Sequence, residues 1–315
     1  MLTESHRFLS RARVFLIAAL AVSLAGQALA QPPGGRGGRG GGFFNPTGEV
    51  PVPPAVAMPR PSQDELARAR ELFTGFTGGL NAEDRALLER YPRMLQVTTP
   101  VNTAIVPNLS QGFRQKHQAN LEVARAGEAE LLLMGDSITD FWRTETGAFA
   151  GKPVLDEYFG HWEIANFGIA GDTTQGVLYR LQNGEGTGFS PRAVMLMIGT
   201  NNTGRNTGPE IAEGVGAIVL ELQNRFPDAK ILLLGIFPRS AADNPVRATL
   251  AQINESISRL HDGEKVFYLD IGQVFLDADG NIPTEVMSDA LHPSTEGYRL
   301  WAEAVREPLT RLMAE

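Results

Sequence analysis

Four short segments of the chain carry the residue types that acyl transfer needs. Gly135-Asp136-Ser137 offers a hydroxyl, and Asn166-Phe167-Gly168-Ile169-Ala170-Gly171-Asp172 offers a loop-glycine amide. Gly199-Thr200-Asn201-Asn202-Thr203 supplies a side-chain amide, and Asp289-Ala290-Leu291-His292-Pro293 an imidazole with a carboxylate three positions earlier. A serine hydroxyl is a weak nucleophile until a base takes its proton, and the oxyanion formed by attack needs fixed N–H donors. Each residue alone also has a plainer reading. Asp136 or Ser137 could cap a helix, Gly171 and Asn201 could be turn residues, and His292 could be structural. Asp136, Asp140 and Asp172 together suggest a metal site, but carboxylates at loop starts more often cap helices. Asp270 rivals Asp289 as the acid partner of His292. Phe141 and Trp142 could line an acyl pocket, with core packing the alternative for at least one of them. His117, His161 and His261 stand in no constellation and read as surface or packing residues.

What matters is where these segments fall relative to the elements that must position them. Leu131-Leu132-Leu133-Met134 is a short apolar run closed by Gly135, the signature of a buried parallel strand. Similar runs are Glu163–Phe167, Ala193–Ile198, Lys230–Gly235 and Val266–Leu269. Helical patterns stand between and after them, at Thr174–Gln182, Glu210–Arg225, Ala248–Leu260 and Ser294 to about Met313. Strands alternating with helices specify an α/β fold: a five-stranded parallel sheet with helices on both faces, in three α/β/α layers. Sites in such folds gather at the carboxyl ends of strands. The serine, glycine and asparagine segments each follow a strand, and the histidine segment precedes the last helix.

The amino-terminal part has a different character. Arg7, Arg11 and Arg13 precede an apolar run from Val14 to Gly26, and Ala28-Leu29-Ala30 supplies small residues for cleavage, the layout of a signal peptide over residues 1–30. The run is short for a membrane span, so cleavage and export are expected, with an uncleaved anchor the alternative. Residues 31–61 are rich in Gly, Pro and Arg and read as a disordered linker. Residues 62–110 read as an accessory segment, with helices starting near Ser62 and over Asn81–Tyr91. The main domain is expected over 111–315, opened by an amphipathic stretch from Gln111 to Ala126. Loss of Glu4, Arg7, Arg11 and Arg13 with the leader takes the net charge from −8 to −10. The acidic balance argues against nucleic acid as a partner. With no cysteine in the chain, disulfides, thiolate catalysis and cysteine-held zinc are excluded.

The four segments, in this order, resemble the blocks of the SGNH (GDSL-type) hydrolase family. Within it, Asn166–Thr174, Arg180–Glu185, Gly199–Asn202 and Leu234–Arg239 are similar to the catalytic subunits of platelet-activating-factor acetylhydrolase. The resemblance covers about residues 110–313. It implies a flavodoxin-like sheet and a serine esterase that needs no cofactor and no metal. In it Ser137 is the nucleophile, His292 the base and Asp289 its orienting acid. The N–H groups of Ser137 and Gly171 and the side-chain amide of Asn201 form the oxyanion hole. The expected substrate is a small ester with a short, acetyl-type acyl group. An exported acidic chain favours a carbohydrate or small-molecule ester, with no stable membrane insertion. A lipase or phospholipase, and a non-catalytic binding module of the same fold, are the alternatives.

Overall fold

The computed structural model describes residues 48–91 and 96–314. The expected signal peptide and residues 31–47 of the expected linker lie outside them. The chain divides into two units. In the smaller, helix α1 (Gln63–Gly78) opens on a reciprocal cap: the Glu65 N–H donates to Ser62 Oγ at 3.1 Å, and the Ser62 N–H donates to the Glu65 carboxylate at 2.7 Å. Helix α2 (Ala82–Glu89) starts on Asn81, whose side-chain oxygen accepts from the Asp84 N–H at 2.8 Å. These pairings satisfy amides that a first helical turn leaves without partners.

The larger unit holds the sheet. Helix α3 (Arg114–Ala126) leads into β1 (Leu131–Gly135), followed by the single turn α4 (Ser137–Asp140), α5 (Lys152–Phe159), β2 (Ile164–Asn166) and α6 (Thr174–Arg180). Then come β3 (Ala193–Met197), α7 (Gly208–Arg225), β4 (Lys230–Leu234), α8 (Pro245–Ser258), β5 (Val266–Leu269) and α9 (Thr295–Ala314). The strands pair in parallel in the order β2-β1-β3-β4-β5, with Leu131 beside both Ile164 and Ala193. This is the flavodoxin-like order, and its direction of growth reverses between β1 and β3. The expected fold class is therefore observed.

Each strand feeds two cores. Leu132 and Met134 pack with Val194, Leu196, Ile231 and Leu233 under α6, α7 and α8. Leu131 and Leu133 pack on the opposite face with Met195, Leu232 and Leu234, against Trp142, α5 and α9. Burial on both faces removes the apolar–polar alternation of a half-exposed strand, which is why the runs are uniformly apolar in sequence.

The expected boundaries need correction. Residues 48–58 and 102–110 belong to the sheet-bearing unit rather than to a linker and an accessory segment. The Val50 N–H donates to the Ile105 carbonyl at 2.9 Å, Val56 is buried, and the Met58 N–H donates to the Glu213 carboxylate at 2.7 Å. Val50, Val52 and Val56 supply apolar area that the Gly- and Pro-rich composition of the surrounding window conceals. Helix α5 was not expected; its eight residues give little room for a periodic pattern to show.

Candidate active site

At the end of β1 the chain turns where only a glycine fits. A Cβ on Gly135 would lie 2.2 Å from Thr139 Oγ1 and 2.4 Å from the Met197 carbonyl. The next residue does the capping: Asp136 accepts from the Ile138 N–H at 3.0 Å. That leaves the Ser137 hydroxyl uncommitted to the cap. As first residue of α4, Ser137 has an N–H without an intrahelical acceptor. The Tyr298 hydroxyl donates to the Ile138 carbonyl at 2.7 Å and ties this turn to α9. Burial pushes the Asp136 carboxyl up to about 7, with help from the Asp172 charge, while the Ile138 N–H and Arg239 oppose the rise.

The histidine arrives on a turn built by one carboxylate. Asp289 Oδ1 accepts from the backbone N–H groups of Leu291 at 3.0 Å and His292 at 2.8 Å. Its Oδ2 lies 2.6 Å from His292 Nδ1, and His292 Nε2 lies 2.9 Å from Ser137 Oγ. The spacing of three residues thus lets Asp289 set both the turn and the ring it presents. Partial burial pulls the Asp289 carboxyl upward, but hydrogen bonds from the backbone and ring of His292 and from Leu291 hold it below the usual range. Ala290 takes a left-handed φ of 54° inside this turn. The imidazole is flanked by the rings of Phe141 at 5.1 Å and Phe149 at 5.3 Å.

The glycine and asparagine loops meet at the same edge. The Asp172 N–H donates to the Ile169 carbonyl at 3.0 Å, and Gly171 has φ +85°, as a type II turn requires at its third position. Asn201 Nδ2 donates to the Asp172 carbonyl at 2.8 Å, leaving the second hydrogen of its amide for another acceptor. The glycine loop is clamped to the serine turn. Asp140 accepts from the Ala170 N–H at 2.9 Å, and Arg143 donates to the carbonyls of Asn166 at 2.8 Å and Gly168 at 2.7 Å. Asp140 is itself paired with Lys116 and Arg143. Beneath the loop, buried Arg180 donates to Asp172 at 2.9 Å, to the Phe167 carbonyl at 3.0 Å and to Glu185. Glu185 also meets His117 Nδ1 at 2.8 Å and Asn120 Nδ2 at 3.2 Å.

Ser137, His292 and Asp289 are therefore joined in one hydrogen-bonded chain, and Gly171 and Asn201 stand on adjoining loops. Asp270 is not on the histidine; it accepts from the Gly272 N–H at 2.8 Å and from Asn254 Nδ2 at 3.2 Å. Trp142 is a core residue, whereas Phe141 faces His292. Among the described residues no group of three or more His, Asp or Glu stands together as metal ligands would. His117 needs correction from a surface or packing residue to a member of the buried Arg180–Glu185 network. Arg143 and Arg180 were missed as supports of the glycine loop. The signal that could have found Arg180 was its place with Glu185 in the run most like the acetylhydrolase subunits.

A serine, a histidine and an aspartate hydrogen-bonded in series at the carboxyl edge of a parallel sheet, beside the Gly171 and Asn201 loops, have the arrangement of a serine-type hydrolase. The chain belongs to the GDSL-like lipase/acylhydrolase family, whose model matches residues 133–300, and it is a carboxylic ester hydrolase. It is 32% identical over 221 residues to the platelet-activating factor acetylhydrolase IB subunit alpha2 of Rattus norvegicus, covering 68% of this chain and 93% of that one. To the alpha1 subunit of Homo sapiens it is 35% identical over 189 residues, 60% of this chain and 78% of that one. Two solved structures share the fold. One, from Streptococcus pneumonia and provisionally described as a platelet activating factor protein, has a TM-score of 0.53 at 22% identity, covering 73% of this chain and all of that one. The other, a provisional acylhydrolase of Bacteroides fragilis NCTC 9343, has a TM-score of 0.52 at 19% identity, covering 64% and 96%.

Proposed function

We propose that the protein is an exported esterase that removes short, acetyl-type acyl groups from carbohydrate or other small-molecule esters through an acyl-enzyme on Ser137. The observation that carries the reading is the unbroken chain from Ser137 Oγ through His292 to Asp289, at 2.9 Å and 2.6 Å. Ser137 Oγ attacks the ester carbonyl carbon as its proton passes to His292 Nε2. Negative charge gathers on the former carbonyl oxygen and is held by the N–H groups of Ser137 and Gly171 and by the amide of Asn201. The C–O bond then breaks, and His292 returns the proton to the departing alcohol. Water enters, gives a proton to His292 and its oxygen to the acyl carbon, and the acid leaves with Ser137 restored. Throughout, Asp289 holds the ring and stabilises the imidazolium.

The acetyl preference is supported by relatives that carry acetylhydrolase in their names and align over 93% of their length. The half-open setting, with the His292 side chain 17% exposed and that of Asp289 40%, suits an alcohol portion that remains in solvent. Export is supported by the leader-like layout of residues 1–30. Among the described residues no helix is long and apolar enough to cross a membrane. A fluorophosphonate probe tests the chemistry: it labels Ser137 in folded protein and leaves Ser137→Ala unlabelled. A panel of acetyl, butyryl and octanoyl esters with acetylated xylan and sugars tests the substrate. Faster turnover of octanoyl than acetyl esters refutes the short-chain assignment, and fractionation of the cell tests export.

A further inference from the structure

The loop after β4 places an unpaired cation between two catalytic loops. Arg239 Nη2 donates to Thr203 Oγ1 at 2.9 Å, two residues beyond Asn201, while its Nε is buried with no acceptor. Among the described residues no carboxylate forms an ion pair with Arg239. The next residue is bound to the histidine turn, for the Ser240 N–H donates to the Ala290 carbonyl at 2.8 Å. Ser240 and Ala290 both have left-handed backbones, at φ 62° and 54°. Such conformations are strained for residues with a Cβ and cluster at functional sites. They fix the Arg239 loop against the Asp289–His292 turn. Arg247 secures it from behind, donating to the Arg239 carbonyl at 2.8 Å. The positive charge is felt as far as Asp136 beside the nucleophile.

A guanidinium has five donors in a planar fork suited to carboxylate and phosphate oxygens. Here only one nitrogen is spoken for, and that by a neutral hydroxyl. The nearby carboxylates already have partners, Asp140 with Lys116 and Arg143, Asp172 with Arg180 and Asp289 with His292, so a cation kept without a counter-ion at this edge is an opening for an anion. We propose that Arg239 is a specificity-determining residue that binds an anionic group, a carboxylate or a phosphate, on the alcohol portion of the ester. This rests on the esterase reading above.

The test compares matched pairs of acetyl esters that differ only in that charge: 3-acetoxybenzoate against its methyl ester, and 2-acetoxyethyl phosphate against its dimethyl ester. The readout is the ratio of kcat/KM, anionic over neutral, in the wild type, Arg239→Gln and Arg239→Lys. Losing a charge-assisted contact typically costs roughly 10- to 100-fold, so the glutamine variant lowers the ratio by about that factor in at least one pair. The lysine variant restores part of it. The pair that responds tells carboxylate from phosphate. An equal fall for both members of each pair shows that Arg239 only braces the loops, and overturns the proposal, as does an unchanged ratio. Inhibition of wild-type protein by 3-hydroxybenzoate against its methyl ester gives the same answer without a variant: the charged form binds more tightly, and added salt removes the difference. Wild-type protein that cleaves neither member of either pair refutes the esterase reading itself.

Discussion

Two histidines among the described residues meet a carboxylate through Nδ1, and their surroundings could hardly differ more. His292 lies 2.6 Å from Asp289, His117 2.8 Å from Glu185. Glu185 is fully buried and shares its charge with Arg180 and Asn120. Asp289 is 40% exposed at its side chain and spends its other oxygen on the backbone of its own turn. The far nitrogen of His292 reaches Ser137, whereas His117 stands edge-on to Tyr179 with ring centroids 6.1 Å apart. A histidine–carboxylate pair is thus no signature of catalysis by itself. In the proposed mechanism a carboxylate shared with arginine is a structural tie, and one committed to its imidazole and the turn beneath it aims a base.

The sharpest way to break this comparison is to remove the Ser137–His292 pair. Ser137→Ala or His292→Ala is expected to lower kcat for an acetyl ester by ~10⁴-fold or more with cooperative unfolding intact. His117→Ala should leave most of the turnover and lose stability instead. Comparable loss of turnover in the two histidine variants would show that the pairs are not distinct in kind.

Second in size is the tie itself. Arg180→Met leaves Asp172 and Glu185 buried without their cation. Removing one member of a buried pair typically costs about 3–5 kcal/mol, to be read as a lower urea midpoint. A midpoint within error of the wild type would mean that this network carries no stability. Third is the donor that bridges the two regions. Asn201 holds the Asp172 carbonyl with one hydrogen and, in the proposed mechanism, offers the other to the oxyanion. Asn201→Ala should lower kcat by ~10²–10³ with little change in KM. A purely structural Asn201 would instead give a lower melting temperature and near-normal turnover.

The contrast also explains what the sequence could and could not show. The strands were legible because burial on both faces demands short, uniformly apolar runs such as Leu131–Met134. The Ser137 and Asp289–His292 segments were legible because each works over two or three adjacent residues, with Asp136 capping and Asp289 building its turn. The Arg180 network was not, because its members come together only when α3 packs against the segment Leu181–Glu185 that follows α6: His117 and Asn120 are far in sequence from Asp172 and Glu185. The segment 48–58 was hidden for another reason. Three valines in a Gly- and Pro-rich window bury little area by composition, and only the surface they meet makes them core. Asp270 and Asp289 could not be separated on the page either, since a carboxylate's partner is settled by where the final loop runs.

The smallest expected effect sets the two carboxylates around the dyad against each other. Asp289 is held below the usual range, so its contribution to stability is present above the ordinary carboxylate pKa and is lost as pH falls through the depressed one. Asp136 has the opposite sign. Its carboxyl is pushed up to about 7 from an ordinary 3.8, so the folded protein binds a proton there that the unfolded chain releases near pH 4. Stability from Asp136 is fully present below the lower value and is lost as pH rises through the higher. With one proton retained on folding, the change between pH 5 and pH 7 comes to roughly 2 kcal/mol, measurable as a falling urea midpoint. Asp136→Asn keeps the oxygen that accepts from the Ile138 N–H but cannot ionise. Its unfolding free energy should therefore lack that part of the slope, and a slope in the asparagine variant equal to that of the wild type would assign the proton to another group.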